Sequence, residues 1–512
     1  MTRQTFIADR FITADPALAE ADWIVVSGGR IIQVGQGEPA AGDVRPIRLP
    51  GTVLPGLIDS HVHLTTTGLY SLGLDFRGCR SVVELLDEVR RYLATNTDEW
   101  VIGGNFDPGR NTDARMPTSD ELNTVSGDRK LVVSRADGHS CALNAKGLAA
   151  IGLPPRLTGI EVDHSGQASG VLADEANYEA RRRFFSQLPE EQILRAQHEA
   201  ARIALSRGVT TVHEMSGGSF MGDKDFEVLT ERFIAEAPIH VRPYLATTDV
   251  GRVVAKGLDC IGGDLFLDGS IGSRTAAMTV PYENELGKGH LYHDDDEIVE
   301  FFANASRAGL QAGVHAIGDA AIEQALNCLE EAFVTLGPEG AMGARRLRHR
   351  IEHFECVSEV QIQRACRLGV LASVQPMFDR YWGGVGGMYE SRLGNRSKTM
   401  NPFSLMVESG MVLAGGSDST VTPLDPFMGI AAAMNHHEDR FRVTFPDALA
   451  MFCVSGALSA HEEAERGSIS VGKVADLCVI ERDPTGLSPD EVAGSVVLQT
   501  WVSGRLAWDA VA

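Results

Sequence analysis

Short strand-like segments separated by amphipathic stretches dominate the middle of the chain. Segments at 53–58, 210–213, 240–244, 264–267, 311–315, 350–353, 371–375 and 412–414 have the length and bounding residues of buried strands. Between them, stretches such as 190–206 and 319–336 carry apolar residues at helical spacing. Eight strands, each followed by a helix or a long loop, predict an α/β fold of the (β/α)8 TIM-barrel type. The stretch at about 66–205 is too long for one strand-to-helix connection. It reads as an insertion over the barrel mouth, with strands of its own at 100–103 and 131–135.

The two ends of the chain read differently. Residues 23–26 form a short apolar strand, Ser27-Gly28-Gly29-Arg30 a turn, and 31–34 the returning strand of a hairpin. Near the other end, 475–480 and 496–502 are strands, with Gly504 in a second turn. Neither end has enough strands to bury a face alone. Pairing them predicts a small β-sandwich domain built from 1–52 and 460–512, with the barrel spanning 53–459. Residues 382–387 are glycine-rich and read as a loop.

Composition narrows the function classes. The chain has 512 residues, 44% hydrophobic and 22% charged, which suits a large buried core and excludes a disordered or collagen-like protein. Its formal net charge of −23 argues against non-specific binding to nucleic acid or to anionic membranes. The opening MTRQTFIADR has no basic segment leading into an apolar one, so no secretory signal is expected. No apolar run is long enough to span a membrane, for which about 18 residues are needed. The 8 cysteines are scattered, with no CxxC pair, which predicts reduced thiols and a cytoplasmic location.

Candidate chemistry begins at His61 and His63. Positions two apart on a strand share a face, so both imidazoles point the same way and can hold one divalent cation. His315 and His353 end two further strands, and Asp418 lies just beyond another. A lone Asp at that place reads equally as a helix cap. Together these residues fall at the C-terminal ends of the proposed barrel strands, where a barrel collects its catalytic groups.

The chain resembles the amidohydrolase superfamily, and within it the amidohydrolase 3 (YtcJ-like) group. The motifs carrying the likeness are LPGLIDSHVHL at 54–64, DGHSCALN at 137–144, LDGSIGSRTA at 267–276, GVHAIGDAA at 313–321, RIEHFE at 350–355 and LAGGSDS at 413–419. GSISVGKVADLCVI at 467–480 is similar to the closing β-domain of that group. The resemblance implies metal ligands at His61, His63, His315, His353 and Asp418. It also implies a carboxylated Lys on the fourth strand that bridges two metals, but here Asp264 stands in that position. An Asp is several bonds shorter. Two arrangements stay open: one ion held by His61, His63, His315 and Asp418 with His353 facing substrate or water, or two ions bridged by Asp264. Nitrogen and carboxylate ligands suit Zn²⁺ best, with Mn²⁺ and Fe²⁺ as alternatives.

The expected activity is metal-dependent hydrolysis of a carbon–nitrogen, amide-type bond in a small molecule, other than a peptide bond, with Asp418 moving the water proton to the leaving nitrogen. The alternatives are a heterocycle deaminase and a non-catalytic binding protein on the same barrel. His139 in the insertion, Arg274 after the fourth strand and Trp382 with Phe378 and Tyr381 are candidate substrate contacts. Asp319 reads as a helix cap or as a group behind the ligands, and the acidic run at 293–297 as a solvated helix start. The sequence leaves homo-oligomerisation open.

Overall fold

The structure is a computed structural model that describes residues 3–39, 46–110, 112–136, 138, 140–154, 156–163, 165–217 and 222–510. Eight strands at its centre fall in two parallel sheets. One contains β1 (Leu57–Val62), β2 (Val209–Ser216) and β3 (His240–Leu245), with β2 in the middle. The other runs in order through β4 (Cys260–Ile261), β5 (Gln311–Ala316), β6 (Arg350–His353), β7 (Leu371–Val374) and β8 (Leu413–Gly415). Every residue of β1, β2, β5, β6, β7 and β8 is buried, as expected when helices and other strands cover both faces of a parallel sheet. The two sheets lie edge to edge on both sides. Asp418 N donates to His61 O at 2.8 Å and His63 N to Ser419 O at 3.0 Å, joining the ends of β8 and β1. Gly262 N donates to Leu245 O at 2.9 Å, joining β4 to β3.

Two predicted strands differ from those observed. The segment 53–58 is split at Gly56: Thr52–Pro55 joins the sheet of the chain ends, and β1 starts at Leu57. A Cβ at Gly56 would collide with the Thr210 hydroxyl, so glycine lets the chain pass from one sheet to the other in close contact with β2. The fourth strand is at Cys260–Ile261, not at 264–267. Gly262 and Gly263 both take left-handed backbone angles, with φ of 80° and 68°. They turn the chain out of the ladder, and only Phe266 returns to bridge His315. Asp264 therefore sits on a bend, not on a strand.

The helix read at 319–336 is the first half of Asp319–Arg346, which breaks at Gly337 with Pro338 opening the second half. The helix Glu190–Ser206 matches its amphipathic pattern. Strands from both chain ends share one sheet, linked by Thr52–Pro55: Val53 pairs in parallel with Phe11 and antiparallel with Val479. Phe6 and Trp501, from opposite ends of the chain, meet edge to face at 5.0 Å in its core.

Residues 74–173 contain a separate six-stranded sheet in which Trp100–Phe106 and Lys130–Arg135 pair in parallel. Phe76, Leu85, Val101, Phe106 and Val133 fill its core. The helix that follows, Asp174–Gln187, carries Tyr178 to 6.3 Å from the Phe266 ring, which in turn lies 4.6 Å from that of His315. Among the described residues, no helix is long and apolar enough to cross a membrane.

Candidate metal centre

The two-residue period of β1 places His61 and His63 on one face at its C-terminal end. His61 Nδ1 lies 2.9 Å from Glu352 Oε2, while its Nε2 is buried without a hydrogen-bond partner, 3.5 Å from Asp418 Oδ1. His63 Nδ1 donates to the Met215 carbonyl at 2.7 Å. Its Nε2 therefore faces Asp418 Oδ1 at 3.1 Å and Asp264 Oδ2 at 3.6 Å. Asp59 ties this strand end to the loop of Asp418, its Oδ1 accepting from Ser417 N at 2.9 Å and His61 N at 3.2 Å.

Three further groups arrive from β4, β5 and β6. His315 Nε2 donates to Gly269 O at 3.3 Å, so Nδ1 is the nitrogen left for Asp264 Oδ1, 3.0 Å away. His353 Nδ1 donates to Gln375 Oε1 at 2.7 Å and leaves Nε2 3.5 Å from the same Asp264 oxygen. His353 and Asp418 both have left-handed backbone, with φ of 71° and 50°. Such strain in non-glycine residues persists where the surroundings enforce it, often at functional sites.

The potential ligand atoms fall into three overlapping groups: His61, His63 and Asp264; His61, His353 and Asp418; and Asp264, His315 and His353. Asp264 divides its oxygens between them, Oδ2 towards His63 and Oδ1 towards His315 and His353. Burial opposes ionisation of both acids. The neighbouring imidazoles outweigh it and hold Asp264 well below the usual carboxylate range and Asp418 below it. Burial likewise opposes charge on His63 and His353, but Asp418 and Asp264 respectively push them up to about 9.

The other predicted site residues lie around this centre. Arg274 is half-buried, its Nε 2.9 Å from Glu285 Oε1, and it does not join the cluster. Trp382 ends the helix Pro376–Trp382 and packs 4.9 Å from Phe378, whose ring stacks on His353 at 5.9 Å and 11°. His139 lies outside the described residues. Its neighbour Gly138 accepts from Asn177 Nδ2 at 2.9 Å. Asp319 is the first residue of its helix and accepts from Thr279 N at 2.8 Å, outside the cluster.

Sequence reasoning missed Glu352, Gln375 and Asp59, which orient the cluster without belonging to it. The signal for Glu352 was present: Arg350 and Glu352 are charged, two apart and on one face of a strand with no exposed side. Asp379, His436 and His437 also converge. His436 Nδ1 accepts from Glu438 N at 3.0 Å, which leaves its proton on Nε2, and His437 Nδ1 bonds Asp379. The Nε2 atoms of both histidines are buried without a hydrogen-bond partner, that of His436 3.2 Å from Asp379 Oδ1.

The sequence profile of the amidohydrolase family matches residues 51–507. The chain belongs to the amidohydrolase family. It is 26% identical to the protein YtcJ of Bacillus subtilis over 91% of each chain. It is 28% identical to Protein LONG AFTER FAR-RED 3 of Arabidopsis thaliana, covering 96% of this chain and 89% of that one. With the N-substituted formamide deformylase of Arthrobacter pascens it shares 25% identity over 97% and 96% of the two chains. Among solved structures, an uncharacterised metal-dependent hydrolase from Pyrococcus furiosus superposes with a TM-score of 0.76 at 27% identity, covering 94% of this amidohydrolase-family chain and all of that one (100%).

Proposed function

We propose that this amidohydrolase-family chain hydrolyses a carbon–nitrogen, amide-type bond of a small molecule, using water activated by a divalent cation. The observation that carries this reading is the convergence of four imidazoles and two carboxylates in three overlapping groups, two of which include His61, whose Nε2 is buried with no hydrogen-bond partner. An unpaired buried polar atom costs about 1–3 kcal/mol, and a cation removes that cost. The donor set suits Zn²⁺, Mn²⁺ or Fe²⁺, with Zn²⁺ first.

Of the two arrangements, the grouping supports two ions. His315 falls with Asp264 and His353, not with His61 and His63, and Asp264 faces both sets. The shorter Asp reaches both because the bend at Gly262 and Gly263 carries it in.

A bound cation supplies Lewis acidity, polarising a carbonyl and bringing the pKa of a water towards ~7. The chain's own residues do the rest. Asp418, beside His63 and His61, takes the water proton and returns it to the leaving nitrogen. Met215 O, Glu352 and Gln375 fix the imidazole orientations. Phe378 and Trp382 form an apolar wall beside His353 and keep bulk water off.

The architecture belongs to the same reading. The strands follow cyclic order 1 to 8 with both sheet edges in contact, which supports one (β/α)8 barrel within 53–459 whose first strand begins at Leu57. The single sheet shared by the two chain ends and Thr52–Pro55 supports a small β-domain built from about 1–52 and 460–512. All 8 thiols are free, which supports a reducing, cytoplasmic setting.

Hydrolysis of N-formyl and N-acyl amines by the metal-analysed protein tests the proposal. N-formyl amines head the panel because a relative is named a formamide deformylase. Release of carboxylate that stops on chelation and returns with metal supports it. A fully metal-loaded protein that cleaves none of the panel overturns it.

A further inference from the structure

Aromatic side chains from three separate segments stand beside one part of the candidate metal centre. In the segment after β4, Leu265 and Leu267 are buried in the main core, while Phe266 between them is half-buried. Phe266 bridges His315, its ring 4.6 Å from the imidazole at 72°. Tyr178, half-buried on the helix Asp174–Gln187, brings a second ring to 6.3 Å from Phe266. The helix after β7 supplies two more: Phe378 stacks on His353 at 5.9 Å, and the half-buried Trp382 lies 4.9 Å from Phe378. The His315 and His353 rings are themselves 4.4 Å apart. Phe266 thus meets one imidazole of this pair and Phe378 the other.

Full burial of an aromatic ring is among the larger apolar gains open to a fold. Tyr178, Phe266 and Trp382 stay half-buried, so part of that gain is left for a ligand. Apolar and aromatic side chains around a few convergent polar groups are the usual lining of a small-molecule site. Their position also fixes which end of an amide they meet. Asp418, the group that serves the leaving nitrogen, faces His63 at 3.1 Å and His61 at 3.5 Å, whereas His315 groups with Asp264 and His353. An amide carbon carries its nitrogen on one side and its acyl substituent on the other. With the nitrogen beside Asp418, the substituent extends towards His315 and the rings.

We propose that Phe266, Tyr178, Phe378 and Trp382 receive the acyl side of the substrate, which makes the substrate class amides of bulky apolar carboxylic acids. A formyl group carries only a hydrogen at that position and leaves the rings unfilled. Phe266 and Trp382, on opposite flanks of the imidazole pair, are the specificity-determining residues. This inference rests on the hydrolase reading for the orientation of the amide.

The test is calorimetric binding of phenylacetohydroxamate and acetohydroxamate to the full chain supplied with Zn²⁺, its metal content measured. The probes share one chelating group and differ only in the ring. The phenyl compound is expected to bind at least about tenfold tighter, in line with burial of an aromatic ring. Phe266→Ala and Trp382→Ala, each checked for native circular dichroism, are expected to shrink that ratio several-fold. Taking the ratio within each variant removes any common loss of metal. The isomers N-methyl-2-phenylacetamide and N-benzylacetamide carry the same ring on the acyl and the nitrogen side. The first is expected to have the higher kcat/KM. Equal binding of the hydroxamates, a ratio unchanged in both variants, no binding of either to the Zn²⁺-loaded chain, or a preference for N-benzylacetamide overturns the proposal. A chain that holds no Zn²⁺ overturns it together with the hydrolase reading. An intact ratio that shrinks in the variants, in a Zn²⁺-loaded protein that hydrolyses nothing, counts against the hydrolase reading alone.

Discussion

His61 and Glu352 are joined inside the protein by a 2.9 Å contact between Nδ1 and Oε2, with both side chains fully buried. Arg350 grips the same carboxylate through Nε at 2.8 Å and Nη2 at 2.9 Å, and is itself bound by Tyr244 Oη, His213 Nδ1 and Ser60 O. Burial works against the charge on Glu352, but Arg350 and then His61 hold its carboxyl down at about 2. The ionised acid keeps the His61 proton on Nδ1 and the Nε2 lone pair directed at the cluster.

Glu352→Gln keeps the shape and removes that charge. Metal affinity is expected to fall about 10–100-fold, the usual effect of losing a carboxylate behind a ligating His. Arg350 is left as an uncompensated buried charge, so stability falls as well, by about 3–5 kcal/mol. Chelator competition reads the first effect and a denaturant melt the second. An unchanged metal affinity would show that Glu352 has no part in orienting His61.

Asp264 makes a different prediction because its two oxygens face different histidines. If it bridges two cations, the purified protein holds two ions per chain, and Asp264→Ala holds one or none. Elemental analysis decides this. A single ion per chain in the unaltered protein contradicts the bridge, whatever the variant does.

Much of this arrangement is legible in the amino-acid sequence because it follows from local periods. The face shared by His61 and His63 needs only the alternation of a strand, and the helix Glu190–Ser206 only a helical repeat. What escapes is set by contacts distant in the chain. Whether Asp264 extends a strand or sits on a bend depends on Gly262 and Gly263, whose Cβ positions are blocked by Gly313 O and the Met215 sulfur. Gln375 orients His353 across 22 positions, and Glu283 N reaches the Arg392 carbonyl across a far longer stretch of chain. No residue near any of them signals the partner.

His349 links stability to pH away from the ligands. It is buried, with Nδ1 accepting from Ala312 N at 3.0 Å and Nε2 3.0 Å from Ser306 Oγ. Burial, and to a smaller extent His461, push it down to about 4. In the unfolded chain the same group titrates near its ordinary value of 6.5. Below 6.5 the unfolded state gains a proton that the folded state refuses, so the contribution is present above that pH and is lost as pH falls towards 4. The shift corresponds to roughly 3 kcal/mol. His349→Asn retains an acceptor for Ala312 N and is expected to flatten the fall in melting temperature between pH 6.5 and 4 relative to the unaltered chain. Parallel melting curves for the two proteins in that window would remove His349 from the account.

Asp418 is asked both to face a cation and to move a proton, and one substitution separates these tasks. Asn keeps an oxygen in the place where Asp418 Oδ1 lies 3.1 Å from His63 Nε2 and 3.5 Å from His61 Nε2, so metal can stay bound. The amide cannot accept the water proton at neutral pH. Loss of general acid–base assistance lowers kcat by about 10²–10⁴-fold, with KM changing much less because the substrate contacts are intact. The left-handed backbone at Asp418 favours Asn as the replacement, since Asn tolerates that conformation better than most residues. A metal-replete Asp418→Asn protein that turns over like the original would assign the proton to another group. Glu352 is a poor substitute, because Arg350 and His61 already occupy its oxygens. Asp264 is the other carboxylate facing His63 and His353, and an Asp264→Asn, Asp418→Asn double variant would then show whether it carries the transfer.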